Sequence, residues 1–366
     1  MTITVLHVVE AFSTGIIQSI RTICRALEGE VDFHILYGRR PETPADVERQ
    51  YPAAVGFTPW AAAGRAIDPG RDWRAVAELK ETVARIRPDL IHAHSSKAGA
   101  YARLAYPRGQ VPVLYSPRGY SFLQLDKGLA GRTAFRGLEW LLGRLPHITV
   151  GCGLGEYSLA RTVARRAVLI PNMINPADFP TPDLGLRPDP AAPLRIAMAG
   201  GIRPQKNFPL FCAVARAFEG RDLHFLWLGG GEIPAGVRVP DSVEITGWLP
   251  REEVLRRMAG CHLYMQTSLW EGLPIALLEG MVLGLAVLAC PAVGNTELVI
   301  EGANGFLCPD AVSFIARIQA LDADRAALGA MGEASRDLAL RHHSVGHIAP
   351  RWLSLYRHYD RYRRFG

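Results

Sequence analysis

The amino-acid sequence predicts an α/β protein with two tandem domains, each a parallel sheet wrapped by helices. Short apolar runs alternate with helical segments over residues 1–170, and the same alternation resumes at residue 194. The segment between them, 171–193, contains seven prolines. The chain has 366 residues, 49% of them hydrophobic, which is enough for two buried cores.

The predicted first domain, 1–170, contains five strand-like apolar runs. They are ITVLHVV at 3–9, VDFHILY at 31–37, DLIHAH at 89–94, VPVLYS at 111–116 and HITVGC at 147–152. We expect helices from about Gly15 and from about Asp72. A Rossmann-like sheet follows from this alternation, and such sheets bind ligands at the carboxyl ends of their strands.

Residues 171–193 are predicted to be the interdomain linker, because proline can continue neither a helix nor a central strand. The second Rossmann-like domain is predicted over 194–345, with a helix from about Phe208. Its apolar runs are LRIAMAG at 194–200, LHFLWLG at 223–229, VEITG at 243–247, HLYMQT at 262–267 and AVLAC at 286–290. Two facing domains would place a ligand site in the cleft between them.

Residues 346–366 are predicted to be a C-terminal helix that packs back on the first domain. Aromatic residues recur there at helical spacing with arginines between them, which favours an amphipathic helix. An RNA-binding tail is the alternative interpretation.

Composition and charge narrow the function classes. The six cysteines are scattered without paired spacing, which indicates neither a zinc site nor a disulfide framework and fits a reducing compartment. We expect no signal peptide and no transmembrane helix, and hence a cytoplasmic protein.

Residues 1–180 carry 22 Lys and Arg against 16 Asp and Glu, whereas 181–366 carry 19 of each. The basic half suggests an anionic partner, such as a phospholipid surface or a lipid pyrophosphate rather than nucleic acid.

The segment SLWEGLPIALLEGM, 268–281, places two glutamates around a Gly-Leu-Pro turn. Pro274 suits the first turn of a helix, so we expect Glu271 on the preceding loop and Glu279 about two turns inside. The free N–H groups of Gly272 and Leu273 would then face an anionic diphosphate. The alternative is that Glu271 is a helix-dipole partner and Glu279 a solvated helix residue.

Several landmarks in order resemble the retaining glycosyltransferases of family 4, which have the GT-B fold. Thr14-Gly15 follows the opening strand, where the family has a glycine-rich turn. In the second domain the landmarks are AGGIRPQKN at 199–207, LGGGE at 228–232, GWLP at 247–250, the two glutamates, and VGNTELVIEGANGFLC at 293–308, which resembles the family segment that ends in a glycine turn before the last strand. The resemblance extends over nearly the whole chain.

The resemblance implies residue roles. Lys206 would neutralise the leaving diphosphate, Glu279 would bind ribose hydroxyls, and Glu271 with the N–H groups after it would hold sugar hydroxyls. The donor-binding set is then Gly15, Arg203, Lys206, Gly272, Leu273, Pro274 and Glu279. A UDP-sugar is the expected donor, with a GDP-sugar behind it. No metal or other cofactor is expected, since capping explains Asp322 and Asp324 better than metal binding.

Two departures from the family pattern concern basic residues. The family has an arginine at the position of Gly201, and here Arg203 lies two residues on. The family has a histidine at the position of Arg118, within SPRGYSF. We interpret this as a compensating exchange that makes Arg118 a catalytic residue together with Lys206 and Glu271. A degenerate site in a non-catalytic scaffold is the competing interpretation.

The acceptor side is predicted in the first domain. HAHSSKAG, 92–99, places His94 and Lys97 at the end of a strand, and it resembles enzymes that build bacterial surface polysaccharides. A structural lysine at a helix start is an equal alternative for Lys97. Residues 131–145 combine leucines, Trp140 and arginines. A core-packing helix is the leading interpretation there, and a helix lying on an anionic membrane is the alternative.

The sequence therefore predicts a retaining, metal-independent hexosyltransferase. It would move a sugar from a nucleotide-sugar to a saccharide acceptor, expected to be lipid-linked, at the inner face of the cytoplasmic membrane. The rivals are a non-catalytic GT-B subunit of a glycosyltransferase complex and a sugar-nucleotide epimerase. A nucleic-acid binder has only bulk charge and the C-terminal segment in its favour.

Overall fold

The computed structural model describes residues 2–64, 66–180 and 192–359. They form two compact units, one from 1–173 with 345–366 and one from 174–344. Each unit contains one sheet whose strand pairs are all parallel. The predicted class of two Rossmann-like α/β domains is confirmed.

The sheet of the first unit has the strand order β3-β2-β1-β4-β5-β6-β7. Its strands are β1 (Ile3–Val9), β2 (Val31–Tyr37), β3 (Gly56–Pro59), β4 (Leu90–His94), β5 (Val113–Ser116), β6 (Ile148–Gly151) and β7 (Ala167–Leu169). Its helices are α1 (Thr14–Ala26), α2 (Pro69–Ile86), α3 (Ser96–Ala105), α4 (Gly128–Leu142) and α5 (Leu154–Val163). Apolar cores cover both faces, with α1 on one and α2 and α3 on the other.

The sheet of the second unit has the order β10-β9-β8-β11-β12-β13. Its strands are β8 (Leu194–Ala199), β9 (Leu223–Leu228), β10 (Val243–Ile245), β11 (Leu263–Gln266), β12 (Ala286–Ala289) and β13 (Gly305–Leu307). Its helices are α6 (Phe208–Arg216), α7 (Arg251–Ala259), α8 (Ile275–Val282), α9 (Ala311–Ala323) and α10 (Arg325–His343). Fully buried Phe208, Phe211 and Trp227 pack together in its core.

The last described helix, α11 (Val345–Arg357), belongs to the first unit. Trp352 and Tyr356 lie against His92, and the Tyr356 hydroxyl is 3.0 Å from His92 Nδ1. Tyr359 donates to the Val113 carbonyl at 3.3 Å. These contacts tie the helix to β4 and β5. The aromatic and basic residues beyond 359 that supported the tail interpretation lie outside the described residues.

The ten predicted strands of both domains agree with β1, β2, β4 to β6 and β8 to β12, within two residues at each end. The helix predicted near Asp72 begins earlier, at Pro69, because the Asp68 carboxylate accepts the Arg71 N–H as an N-cap. The short edge strands β3 and β7 were not predicted. Asp324 caps α10 by accepting the Ala327 N–H, which confirms the capping interpretation of that residue.

Two further observations concern the cysteines and the expectation of no transmembrane helix. All six cysteines are buried free thiols. Among the described residues, no helix combines the length and apolar character needed to cross a bilayer.

Candidate active site

The second unit collects its glycine-rich turns at the carboxyl edge of its sheet. Gly200 and Gly201 follow β8, Gly229 to Gly231 follow β9, and Trp248 follows β10. The loop 267–274 follows β11 and leads into α8. Ligands of parallel sheets bind at this edge, so the predicted donor residues that belong to the second unit share one neighbourhood.

Lys206 and Glu271 form a close ion pair at this edge. Lys206 Nζ lies 2.7 Å from Glu271 Oε1, and the two side chains are 15% and 9% exposed. Gln205 and Gln266 each donate to the same carboxylate at 3.3 Å. Gly200 makes room for the lysine, since its φ is +150° and an added Cβ would lie 2.8 Å from Lys206 Cε. The carboxylate is therefore fixed by three donors, one of which is the Lys206 ammonium group.

Glu279 is neither solvated nor deep in a long helix. It is the fifth residue of α8, so it lies about one turn inside rather than the two turns predicted. Pro274 is the N-cap of α8 instead of a first-turn residue, which shortens the helix. Arg251 holds the Glu279 carboxylate at 3.0 Å, and its Nη1 lies 3.5 Å from Asp178 Oδ2. The arginine thus lies between two carboxylates, which also contradicts the alternative of a solvated Glu279.

Arg251 and Asp178 were missed by sequence reasoning. A signal for Arg251 was available, since it directly follows GWLP at 247–250 and begins α7. Asp178 gave no signal within the proline-rich segment. That segment forms a short helical turn over Pro176–Asp178, with Asn175 capping it, so part of the predicted linker is ordered by contact with the second unit.

The turn before α8 brings the remaining predicted donor residues close together. Gly272, Leu273 and Pro274 are buried between Glu271 and the helix. Gly294, with φ +85°, packs on this turn so closely that a Cβ would lie 2.2 Å from the Gly272 carbonyl oxygen. The Leu269 N–H donates to the Gln205 carbonyl at 2.8 Å. The turn is therefore joined to the segment that carries Arg203 and Lys206.

In the first unit, Arg118 and His94 are brought together. Arg118 has a left-handed backbone, φ +58°, at the end of the β5 loop. Its guanidinium donates to the Asn172 side-chain oxygen and to His94 Nδ1 at 3.4 Å. The neighbouring Gly119 N–H donates to the buried Glu156 carboxylate at 2.6 Å. This network fixes a partly exposed guanidinium at the carboxyl edge of the first sheet.

His94 belongs to a buried histidine cluster with His7 and His92. His7 Nδ1 lies 2.8 Å from His94 Nε2, and His92 is hydrogen-bonded to Ser116 at 2.9 Å and to Tyr356. Burial, followed by the nearby Arg118 charge, lowers the pKa of His7 to about 3. Burial likewise places the pKa of His92 and of His94 well below the usual range. The cluster is neutral at neutral pH, and His94 orients Arg118 rather than facing an acceptor.

Lys97 is engaged elsewhere. Its ammonium lies 2.9 Å from Asp72 Oδ1 and donates to the carbonyls of Gly64 and Ala66. These contacts tie α3 to α2 and to the loop before it, as a structural lysine would. Gly15, in the first turn of α1, is half-buried, and an added Cβ would meet nothing within 4 Å. The turn is open to a ligand, and its glycine is not required by packing within the unit.

Helix α4 is not the core-packing helix that the sequence favoured. Within 128–142 only Glu139 and Leu142 are buried, and Leu129, Trp140 and Leu141 are exposed by 79%, 49% and 60%. Glu139 turns inward, where it accepts hydrogen bonds from Arg103 at 3.0 Å and Tyr115 at 2.7 Å. The outward side therefore combines apolar side chains with arginines and has no exposed carboxylate within the helix.

Comparison with known proteins agrees with these two units. Residues 13–178 match the model of Glycosyltransferase Family 4, and residues 193–324 match the model of Glycosyl transferases group 1. The fold and these matches define the class, a GT-B protein. The chain carries a Glycosyltransferase Family 4 domain followed by a Glycosyl transferases group 1 domain.

Individual relatives lie within the same class. The chain is 25% identical over 264 residues to UDP-Gal:alpha-D-GlcNAc-diphosphoundecaprenol alpha-1,3-galactosyltransferase of Escherichia coli, a match that covers 65% of this chain and 66% of that protein. It is 27% identical over 152 residues to the amylovoran biosynthesis glycosyltransferase AmsK of Erwinia amylovora, covering 37% of each. The chain thus spans just under two thirds of the first relative and about a third of the second. The structure of Anabaena Alr3699/HepE in complex with UDP and glucose superposes with a TM-score of 0.76 at 16% identity, covering 97% of this chain and 99% of that one.

Proposed function

We propose that this protein is a retaining glycosyltransferase that transfers a sugar from a UDP-sugar to a lipid-linked saccharide in bacterial surface polysaccharide synthesis. The observation that carries the proposal is the pair of clamped carboxylates at one sheet edge, Glu271 with Lys206 and Glu279 with Arg251. Buried carboxylates accept hydrogen bonds from sugar and ribose hydroxyls, and the Lys206 ammonium beside Glu271 suits a diphosphate.

The proposed chemistry needs charge stabilisation rather than a nucleophilic side chain. The sugar–phosphate bond breaks while the acceptor hydroxyl attacks the same face, negative charge builds on the leaving diphosphate, and the hydroxyl proton passes to that diphosphate. Lys206 stabilises that charge, and the turn before α8 contributes the positive end of its helix dipole. Glu271 holds sugar hydroxyls and Glu279 holds the ribose. No metal is required for this charge balance.

A UDP-sugar is proposed as the donor, and a lipid-linked diphosphate saccharide as the acceptor. The Escherichia coli relative is named for a UDP-galactose donor and a diphosphoundecaprenol-linked acceptor, and the HepE structure holds UDP. The anchored guanidinium of Arg118 supplies a cation for a phosphate on the first unit's sheet edge. This combination favours a phosphorylated acceptor over a neutral one.

An anionic lipid surface is the proposed partner of α4. Its exposed Leu129, Trp140 and Leu141 would enter the headgroup boundary, while Arg132 and Arg136 would meet lipid phosphates. A lipid-linked acceptor requires such a position, since its polyprenyl chain stays in the bilayer. The protein would then work at the inner face of the cytoplasmic membrane.

The proposal is tested by incubating the purified protein with UDP-sugars and a synthetic polyprenyl-diphosphate saccharide. We expect a disaccharide product in which the anomeric configuration of the donor is retained, as determined by NMR, and undiminished turnover with EDTA. Lys206→Ala and Glu279→Ala should lose turnover, whereas Lys80→Ala, at an exposed position of α2, should not.

The rival functions give different results in the same assay. Nucleotide binding without turnover on any acceptor would indicate the scaffold subunit. Conversion of the UDP-sugar without an acceptor would indicate an epimerase. Either result would contradict the proposed function.

A further inference from the structure

Trp248 is a large aromatic side chain exposed at the carboxyl edge of the second sheet. It follows Gly247, whose φ is +69°, at the turn after β10, and its side chain is 47% exposed. Most exposed apolar residues are scattered singly and need no explanation. Trp248 differs because its indole lies directly on the two glycine-rich turns that follow β8 and β9.

The position of the indole is shown by its distance from the Cβ atom that any other residue would carry at two neighbouring glycines. A Cβ added to Gly201 would lie 2.9 Å from Trp248 Cη2, and a Cβ added to Gly230 would lie 2.9 Å from its Cδ1 and Nε1. The ring therefore spans both turns, from its benzene edge to its pyrrole edge. No side chain larger than hydrogen fits under it at either position without moving the ring.

This packing explains why Gly201 stands where the family pattern has an arginine. The indole occupies the space above residue 201, and Arg203 lies beside the same glycine, with its Nε 3.2 Å from the position of an added Cβ. On the other side of the turn, Gly200 lies against the Lys206 side chain. The aromatic surface therefore begins next to the residues assigned to the diphosphate.

We infer that Trp248 is the stacking platform for the nucleobase of the donor, with Gly201 and Gly230 as the glycine floor that positions its ring. The inference rests on the proposed function and deepens it by assigning the base end of the donor. The two glycines contact the Cδ1, Nε1, Cε2, Cζ2 and Cη2 atoms of the indole, and its exposed surface is available to a planar ligand. Arg251, three residues further on, holds the Glu279 carboxylate proposed to bind the ribose, so the base contact and the ribose clamp share the short segment 248–251.

Stacking on an aromatic ring contributes affinity for any base, since every base has a π-face. Trp248 therefore sets how tightly the nucleoside is held rather than which base is chosen. The contribution should vanish for ligands that lack a base. Pyrophosphate and ribose 5-phosphate are the matching probes.

The test is calorimetric binding of UDP, uridine monophosphate, pyrophosphate and ribose 5-phosphate to the wild type and three variants. Trp248→Ala should weaken the binding of UDP and of uridine monophosphate by about 5-fold to 150-fold, as removal of a base–aromatic stack does. Trp248→Phe should recover most of that loss. Gly201→Ala, which displaces the ring, should weaken the same two ligands. Pyrophosphate and ribose 5-phosphate should bind all four proteins alike.

A fourth variant, Trp73→Ala, is the matched control, because Trp73 is 74% exposed on α2 of the other unit and should leave UDP binding unchanged. Equal UDP affinity of the wild type and Trp248→Ala would overturn the inference and leave the proposed function intact. An equal loss for pyrophosphate would also overturn it, by showing that the ring only supports the phosphate loop. A wild type that binds none of these nucleotides would overturn the proposed function as well.

Discussion

Arg251 and Glu279 are joined by a guanidinium–carboxylate contact of 3.0 Å, with Asp178 on the far side of the guanidinium at 3.5 Å. The three residues come from α7, α8 and the short turn 176–178. The arginine offsets the desolvation of two carboxylates that are 8% and 12% exposed. It therefore links the ribose-binding proposal for Glu279 to the stability of the second unit.

Arg251→Ala should destabilise the second unit and weaken donor binding together. Removal of the guanidinium leaves two nearly buried carboxylates without their shared cation, and a cost of about 1–3 kcal/mol is expected because the arginine keeps some solvent contact. UDP affinity should fall as Glu279 loses its orientation. Thermal unfolding and calorimetric titration measure the two effects.

The control for Arg251→Ala is Arg256→Ala on the same helix. Arg256 pairs with Glu253 at 2.6 Å but is 60% exposed, so its loss should change neither quantity appreciably. Equal stability of Arg251→Ala and Arg256→Ala would show that the contact with Glu279 is not a structural clamp.

Arg118→Ala should reduce turnover about as much as Lys206→Ala. Arg118 is held by Asn172 and His94 with its guanidinium partly exposed, which is how a phosphate-binding arginine is preorganised. Each loss of a charge-stabilising donor is expected to cost about 100-fold to 1,000-fold in kcat. Steady-state rates at saturating donor compare the two, and a near-normal rate for Arg118→Ala would remove it from the catalytic set.

How much the sequence could predict differs between elements. Strands β1 and β2 were predicted with their observed bounds, because seven-residue runs that are mainly apolar are typical of buried parallel strands. Strands β3 and β7 have only four and three residues at the sheet edges, too few to show a pattern. The wide apolar arc of α4 suggested a core helix. A sequence shows such an arc, but it does not show whether a neighbouring element covers it.

The candidate site shows the same limit. Lys206 and Glu271 carried local motif signals, and the structure places them in contact. The contacts of Arg251 with Asp178 and Glu279 join residues 73 and 28 positions apart, so they depend on tertiary packing. In the sequence, Gly201 was interpreted as the loss of a basic residue. The structure gives a physical reason for a glycine there, because the Trp248 ring occupies the space that a side chain would need.

The buried histidines predict that stability falls on mild acidification. The pKa of His7 and that of His147 are lowered to about 3 by burial, whereas in the unfolded chain both lie near about 6.5. Below pH 6.5 the unfolded state therefore binds more protons than the folded state. The free energy of unfolding decreases by up to about 1.4 kcal/mol per pH unit for each such histidine. The stability that the folded state keeps by holding these histidines neutral is fully present above pH 6.5 and is lost as the pH falls towards 3.

Urea unfolding between pH 7.5 and 5.5 measures this dependence. His147→Asn should reduce the slope by about one proton, because it removes a buried titrating group. His224→Gln, at a residue that is 61% exposed, serves as the control. A slope unchanged by His147→Asn would contradict the assignment of that histidine.

The exposed side of α4 predicts binding to anionic vesicles. Arg132→Glu with Arg136→Glu reverses two charges on that side and should abolish co-sedimentation with phosphatidylglycerol vesicles, since each basic residue near the surface contributes about 1 kcal/mol. Trp140→Ala with Leu141→Ala should weaken binding through lost apolar insertion, including at high salt, where the electrostatic part is screened. Arg256→Glu, on the other unit, should pellet like the wild type. Equal pelleting of all variants would remove α4 from the membrane contact. If the variants lose turnover on a lipid-linked acceptor but keep it on a short-chain soluble analogue, the membrane contact serves acceptor delivery.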